Sequence, residues 1–490
     1  MPERATVPSR SEKSAEVVVV AIMGRRAERE GVFIAMSMDG VRHQMLALAG
    51  RVAEQRGEAS SKPTSDETSS PRHETIGAGQ GLLAQVLARE NMQRAWKRVK
   101  ANKGAAGVDG MDIAQTGRYL VTALPNIRHQ LMAGTYRPSP VRRVGIPKPD
   151  GSERELGIPT VIDRLIQQAL LQVLQPLIDP TFSEHSYGFR PGRRARDAVL
   201  AAQQHVQDGF RVVVDVDLEK FFDRVNHDVL MDRLQKRIAD ASIIRLIRSY
   251  LNAGIMSNGV VAEREAGTPQ GGPLSPLLAN VLLDEVDREL ERRGHRFARY
   301  ADDCNVYVRS QQAGERVMTL LKRLYGKLRL TINASKSAVG STFGRKFLGF
   351  TLWVARKCEV KRAVSNKARE TFKQRVRQIT RRTCGRSMSQ VIEQLRRYVL
   401  GWKAYFNLAQ TPGVWRKLDE WMRHRMRAIQ LKQWRTGTTM YRELLKLGAS
   451  TKVARLVAAN SRRWWHNSAL ALNSVLTIGY FDRLGMPRLT

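Results

Sequence analysis

By hydrophobic spacing the chain falls into four stretches. Residues 1–78 mix Glu, Arg, Ser, Pro and Gly without sustained periodicity, and Ser60 to Glu74 is polar throughout. Such a segment cannot bury enough apolar surface to offset the entropy of ordering, so a weakly ordered extension is expected there. From Gly81 the apolar positions Leu83, Val86, Leu87, Met92, Trp96 and Val99 fall at helical intervals and run into the turn Asn102-Lys103-Gly104-Ala105-Ala106-Gly107. A second helix is expected over 124–132. Between Val141 and Phe350 short apolar runs alternate with helical ones, the pattern of an α+β domain. Val212-Val213-Val214-Asp215-Val216-Asp217 reads as a buried strand that ends on an acid. Phe297 to Arg309 reads as two strands either side of Asp302-Asp303, a tight hairpin because Asp tolerates turn geometry. After Trp353 the spacing is helical, and no repeat of solenoid length occurs.

At 490 residues the chain is too long for one packed core, which excludes a single small binding module. Lys plus Arg number 82 against 46 acids, and the net +36 calls for a polyanionic partner, nucleic acid first. The excess is uneven: residues 351–490 hold 30 Lys and Arg against 7 acids, so +23 of the surplus sits there, with seven of the eight tryptophans. Three cysteines (Cys304, Cys358, Cys384) without a CxxC pair leave no disulfide framework and no zinc finger. The apolar run Val17 to Met23 is too short to span a bilayer. A soluble, cytoplasmic protein with no membrane partner is expected.

An acid at a strand end, followed 85 residues later by two adjacent acids at a hairpin, is what two-metal phosphoryl transfer requires. Mg²⁺ takes oxygen ligands and keeps waters, so carboxylates converging from neighbouring strands can hold two ions about 4 Å apart. Asp217, Asp302 and Asp303 are the candidates. An Asp-Asp pair by itself is usually a solvated turn, and only its company decides otherwise.

That company is specific. Phe297-Ala298-Arg299-Tyr300-Ala301-Asp302-Asp303 and Asp217-Leu218-Glu219-Lys220-Phe221-Phe222-Asp223 resemble the metal-binding motifs of reverse transcriptases. Gly267-Thr268-Pro269-Gln270-Gly271-Gly272-Pro273-Leu274-Ser275-Pro276 narrows the resemblance to reverse transcriptases encoded by bacterial group II introns. Ile146-Pro147-Lys148-Pro149-Asp150-Gly151, Ser186-Tyr187-Gly188-Phe189-Arg190-Pro191-Gly192-Arg193, Asn333-Ala334-Ser335-Lys336-Ser337 and Phe347-Leu348-Gly349-Phe350 follow in the family's order. Gln93 to Thr135 resembles the N-terminal segment that wraps template and primer in non-retroviral enzymes. Arg396 to Phe406 resembles the maturase or thumb motif.

The resemblance implies residue roles. Asp217 would be the first metal ligand, with Asp215 the alternative two residues upstream, and Leu218 would add its backbone carbonyl. Asp302 and Asp303 would complete a site for two Mg²⁺ ions, which Mn²⁺ could replace. Phe222 would close the sugar pocket against a ribose 2′-hydroxyl. Lys148 and Arg154 would hold the incoming triphosphate and Gln270 would touch the nucleotide. Lys336 would protonate the leaving pyrophosphate. Arg190 and Arg193 are candidates for template phosphates, and Arg375, Arg377, Arg381 and Arg382 for RNA. Most of the aromatics in 398–406 are expected to be core, and Trp464 and Trp465 are candidates for stacking on RNA.

The expected architecture is α+β: a right-hand polymerase fold followed by an all-α basic thumb. The expected parts are a weakly ordered 1–78, fingers and palm over 79–355, a helical thumb or maturase domain over 356–436 and a basic nucleic-acid-binding module over 437–490. The expected function is RNA-directed DNA synthesis from deoxynucleoside triphosphates on a DNA primer or target during retrohoming, together with binding of the group II intron RNA to assist its splicing. The alternatives are a non-catalytic RNA-binding maturase and a retron-like or defence-associated reverse transcriptase. With no cysteine after Cys384, the His-Asn-His nuclease carried by many relatives is not expected.

Overall fold

The computed structural model describes residues 81–147, 153–257, 260–262, 266–383, 385–469 and 472–490. The expectations for 1–78 and for Lys148 lie outside these residues. The first helical stretch is broken into α1 (Leu82–Val86) and α2 (Arg89–Ala101), with Ala88 in an extended conformation between them. The helix expected over 124–132 is longer, α3 (Ile113–Ala133). Asp112 starts it with a reciprocal capping box: Gln115 N donates to Asp112 Oδ1 at 2.7 Å, and Asp112 N to Gln115 Oε1 at 2.9 Å. Gly134 ends it at φ +71, a conformation in which glycine has no Cβ penalty. Pro125 lies inside the helix without terminating it.

The chain divides into two compact units, the first ending at Thr342 and the second Phe343–Thr490. In the first unit, β1 (Val141–Pro147), β2 (Glu153–Ile158), β4 (Ile255–Ser257) and β5 (Val260–Ala262) form a sheet in the order β2-β1-β4-β5. A second sheet, ordered β6-β7-β3-β8, joins β3 (Val212–Val216), β6 (Arg296–Tyr300), β7 (Asp303–Val308) and β8 (Ala338–Ser341), all pairs antiparallel. Helices α4 (Val161–Ile178), α5 (Ala195–Gln207), α6 (Phe221–Arg224), α7 (His227–Gln235), α8 (Ala241–Asn252), α9 (Ser275–Arg292) and α10 (Gln311–Lys327) complete the unit. One continuous apolar core joins these helices other than α5, running from Leu82 through Leu170, Val214 and Leu282 to Leu330. This is the expected α+β layout.

The second unit begins with strands rather than helices. β9 (Lys346–Phe347), β10 (Phe350–Val354) and β11 (Val360–Val364) form a three-stranded sheet, ordered β11-β10-β9. The division therefore falls ahead of residue 355, and β11 lies inside the stretch read as helical. Strands this short, with Lys361 and Arg362 side by side in β11, carry too weak an apolar period to stand out. Helices α11 (Asn366–Ile379), α12 (Met388–Phe406), α13 (Pro412–Trp434), α14 (Gly437–Lys446), α15 (Thr451–Ala459), α16 (Trp464–Ala469) and α17 (Ile478–Arg483) follow. Their core is aromatic: Trp402 packs on Phe372, Phe406 and Trp415 with ring centroids 4.4, 4.7 and 5.3 Å apart, and Tyr398 stacks on Phe372. Among the described residues no helix is long and apolar enough to cross a membrane.

Candidate functional site

Strand β3 is flanked by β7 and β8, and Val213, Val214 and Val216 are buried. The β3–β7 ladder pairs Asp215 with Asn305 and ends at Val216 with Cys304, so Asp217 directly follows the last pair on β3 and Asp303 directly precedes it on β7. Because side chains alternate, Asp215, Asn305, Asp217 and Asp303 share one face while Val216 and Cys304 point to the other. The β6–β7 hairpin closes at Tyr300↔Asp303, leaving Ala301 and Asp302 as the turn. Asp302 is thus a turn residue, whereas Asp303 begins the strand. Asp217 is 2% exposed; Asp302 and Asp303 are half-buried. With its amide oriented to donate, Asn305 reaches Asp215 Oδ1 at 3.0 Å, so Asp215 is engaged within the sheet.

The Asn333–Ser337 turn clasps the end of β3. Asn333 N donates to Asp217 O at 2.9 Å, Asp217 N donates to Ser337 Oγ at 3.0 Å, and Glu219 N donates to Thr331 O at 2.9 Å. This bridge uses the Asp217 carbonyl and not that of Leu218. The clasp carries Lys336 to the acid: its Nζ lies 3.7 Å from Asp217 Oδ2.

Beside this lies the loop that starts at Gly267. Thr268 N donates to Phe222 O at 2.7 Å, Gly267 N to Val225 O at 2.7 Å, and Gln270 Nε2 to Asp223 Oδ1 at 3.3 Å. A Cβ on Gly267, which has φ +94, would sit 2.9 Å from Asp223 O, so only glycine permits this approach. Phe221 is core at 3% exposed, while Phe222 is half-buried with its ring edge-on to it at 5.1 Å. Arg154 pairs through its backbone with Ile146.

Arg190 departs from the expectation of a template contact. Its Nε donates to Asp179 Oδ1, one terminal nitrogen to the carbonyls of Ser183 and Ser186, and the other to Asp179 O and Oδ2. All five guanidinium donors are consumed inside the protein, so none is left for phosphate. Arg193 donates to the backbone and carboxylate of Glu184.

Spacing alone passed over the support behind the hairpin. Arg299 is fully buried and holds Asp287, Asn280, Ser186 and the Ala301 carbonyl. Gly188 packs against the turn so closely that a Cβ would lie 2.2 Å from Ala301 N. The available signal was an arginine within a strand otherwise apolar enough to be buried, which demands a partner.

Three carboxylates, one just past the end of β3, one in the β6–β7 turn and one at the start of β7, suit a hard divalent cation. Among the described residues no three His, Cys, Asp or Glu side chains make a ready cage. Mg²⁺ does not need one, since it characteristically binds one or two carboxylates together with substrate phosphates and water.

In the second unit, cations converge on tryptophans. Arg377 and Arg425 lie over Trp421 at 5.6 and 5.5 Å, and Arg382 and Lys432 over Trp464 at 5.7 and 5.3 Å. Burial, then the guanidiniums of Arg377 and Arg382, hold Arg425 below its ordinary pKa. Arg377, Arg381 and Arg382 are exposed; Arg375 is half-buried and donates to Gln378. Trp465 is 43% exposed and stacks on His424 at 3.7 Å.

Residues 146–352 match the family of reverse transcriptases (RNA-dependent DNA polymerases), and residues 369–448 match the group II intron maturase-specific domain. The chain is 37% identical over 220 residues to protein YkfC of Escherichia coli, covering 44% of this chain and 58% of that protein. It is 34% identical over 236 residues to the group II intron-encoded protein LtrA of Lactococcus lactis, covering 48% of this chain and 39% of LtrA. The putative COX1/OXI3 intron 1 protein of Saccharomyces cerevisiae is 30% identical over 211 residues, 43% of this chain and 25% of that protein. The matches thus span at most 58% of these relatives' length.

Proposed function

From the premise that this chain, a reverse transcriptase domain followed by a group II intron maturase-specific domain, belongs with the group II intron reverse transcriptases and maturases, we propose that it copies RNA into DNA and binds its intron RNA to assist splicing. The observation that supports the catalytic half is the β3–β7 ladder, whose last pair, Val216 with Cys304, is followed directly by Asp217 on one strand and preceded directly by Asp303 and the Asp302 turn on the other.

In this reading Asp217, Asp302, Asp303 and the Leu218 carbonyl hold two divalent ions, Mg²⁺ or Mn²⁺. When bound, the ions supply activation of the primer 3′-hydroxyl and neutralisation of the departing pyrophosphate. The protein's part is positioning. Phe222 meets the sugar and excludes a 2′-hydroxyl, while Gln270, held beside it by Asp223, contacts the nucleotide. Lys148 and Arg154 meet the triphosphate. Lys336, whose Nζ is carried to Asp217 by the Asn333–Ser337 clasp, passes a proton to the leaving phosphate oxygen. Arg193 is the remaining template candidate of its segment.

The RNA-binding half rests on the tryptophan-backed cations of the second unit, whose mutual repulsion a polyphosphate would relieve. The test is primer extension on an RNA template by parental protein and by Asp302→Asn, alongside a splicing assay with the intron RNA. Synthesis lost only in the variant, with splicing retained by both, supports the reading. Parental protein that assists splicing but does not extend a primer would establish instead a maturase with an idle palm.

A further inference from the structure

Arg299 is fully buried, yet it stands two residues from the turn that presents Asp302. Its Nε donates to both oxygens of Asp287, at 2.8 and 2.9 Å. One terminal nitrogen donates to Asp287 Oδ2 at 2.6 Å and Ser186 Oγ at 2.7 Å; the other donates to Asn280 Oδ1 and Ala301 O, each at 3.0 Å. The fork therefore ties α9, the Ser186 loop and the hairpin turn together. Asn280 closes the circuit by donating to Gly188 O at 2.9 Å, and Gly188 lies against the Ala301 amide.

What this network holds is an unfavourable conformation. Ala301 has φ +57, which a residue with a Cβ adopts only when its surroundings impose it. The Ala301 carbonyl belongs to the peptide plane that leads into Asp302. Fixing that oxygen fixes the direction in which the Asp302 side chain leaves the turn and the point where Asp303 enters β7. Burial alone would lower the pKa of Arg299, but the Asp287 carboxylate outweighs it and raises it, so the guanidinium stays charged.

We propose that Arg299 is the positioning residue of the Asp302-Asp303 turn, setting through Ala301 the geometry in which the two carboxylates receive divalent ions. Being fully buried, it touches neither substrate nor ion. The inference rests on the polymerase reading above and adds to it how the acids are held.

The test uses full-length protein on a template and dideoxy-terminated primer with a deoxynucleotide, and follows Mn²⁺ binding through loss of the free-ion electron paramagnetic resonance signal. Arg299→Lys keeps a charge for Asp287, but one ammonium cannot span Asp287, Asn280, Ser186 and Ala301 together. Asn280→Ala leaves the ion pair intact and cuts only the circuit, so it carries the test if the lysine variant does not fold. Expected for each folded variant is a Mn²⁺ midpoint raised roughly 10-fold or more, the range seen when groups supporting a ligand are removed. With an extendable primer, kcat should fall by up to about 10²-fold while the nucleotide KM changes little. Folded variants with parental Mn²⁺ midpoints, whatever their thermal stability, would overturn the proposal. Parental protein that binds no Mn²⁺ under these conditions would instead remove the polymerase reading and this inference with it.

Discussion

Arg377, Arg381 and Arg382 stand exposed at and just beyond the end of α11, two of them over tryptophan rings. Changing all three to Gln removes three positive charges without touching the aromatic core beneath. Each lost phosphate contact should reduce the slope of log affinity against log salt by about 0.7 to 0.9, so the triple variant should be about 2 to 3 units shallower. Between 50 and 200 mM salt the parental advantage in intron RNA affinity should then shrink by roughly thirty-fold. Loss of two cation–π contacts costs about 1 to 2 kcal/mol of stability, so the variant should remain folded. The assay is a salt titration of RNA affinity for both proteins, with extension of a short preformed primer and template as the control. A variant that keeps the parental slope would refute the assignment of these arginines to RNA. Equal loss of extension would refute their separation from the palm.

Asp217→Asn and Asp302→Asn should each abolish primer extension while thermal unfolding stays close to parental; near-normal synthesis by Asp302→Asn would displace the site, and a dead Asp215→Asn beside an active Asp217→Asn would move the first ligand upstream. Phe222→Val should raise ribonucleotide incorporation relative to deoxynucleotides more than it changes turnover, and an unchanged ratio would make Phe222 a packing residue. Lys336→Met should slow single-turnover addition by about 10²-fold if Lys336 acts as a general acid, while Lys336→Arg restores charge near Asp217 but not the rate. Tyr136→Phe removes the hydroxyl that donates to the buried Asp163 Oδ1 at 2.8 Å and should cost about 1 to 3 kcal/mol in denaturant unfolding.

Much of this molecule was legible in the chain. The Val212–Val216 strand, the hairpin at Asp302, the turn after Ala101 and the glycine-rich loop at Gly267 are local: their signals are an apolar period, a turn-compatible acid and glycines where backbones meet. The aromatic face Tyr398, Trp402 and Phe406 likewise follows from helical spacing and proves to be core. The same local logic stretched too little for α3, whose first half lacks a strong apolar period, and too far for the thumb, where basic strands precede the helices.

What only the tertiary structure decided is which charged groups are spent inward. Arg190 and Arg193 are neighbours in one motif, yet Arg190 is closed off by Asp179 and backbone carbonyls while Arg193 is partly exposed. Arg299 reaches a serine 113 residues away in sequence, and Lys336 meets an acid 119 positions earlier. A period or a cap depends on residues within a few turns of each other, so it is written in the sequence. Satisfying all five donors of a buried guanidinium depends on acceptors that only packing brings round it, from the adjoining turns for Arg190 and from distant segments for Arg299.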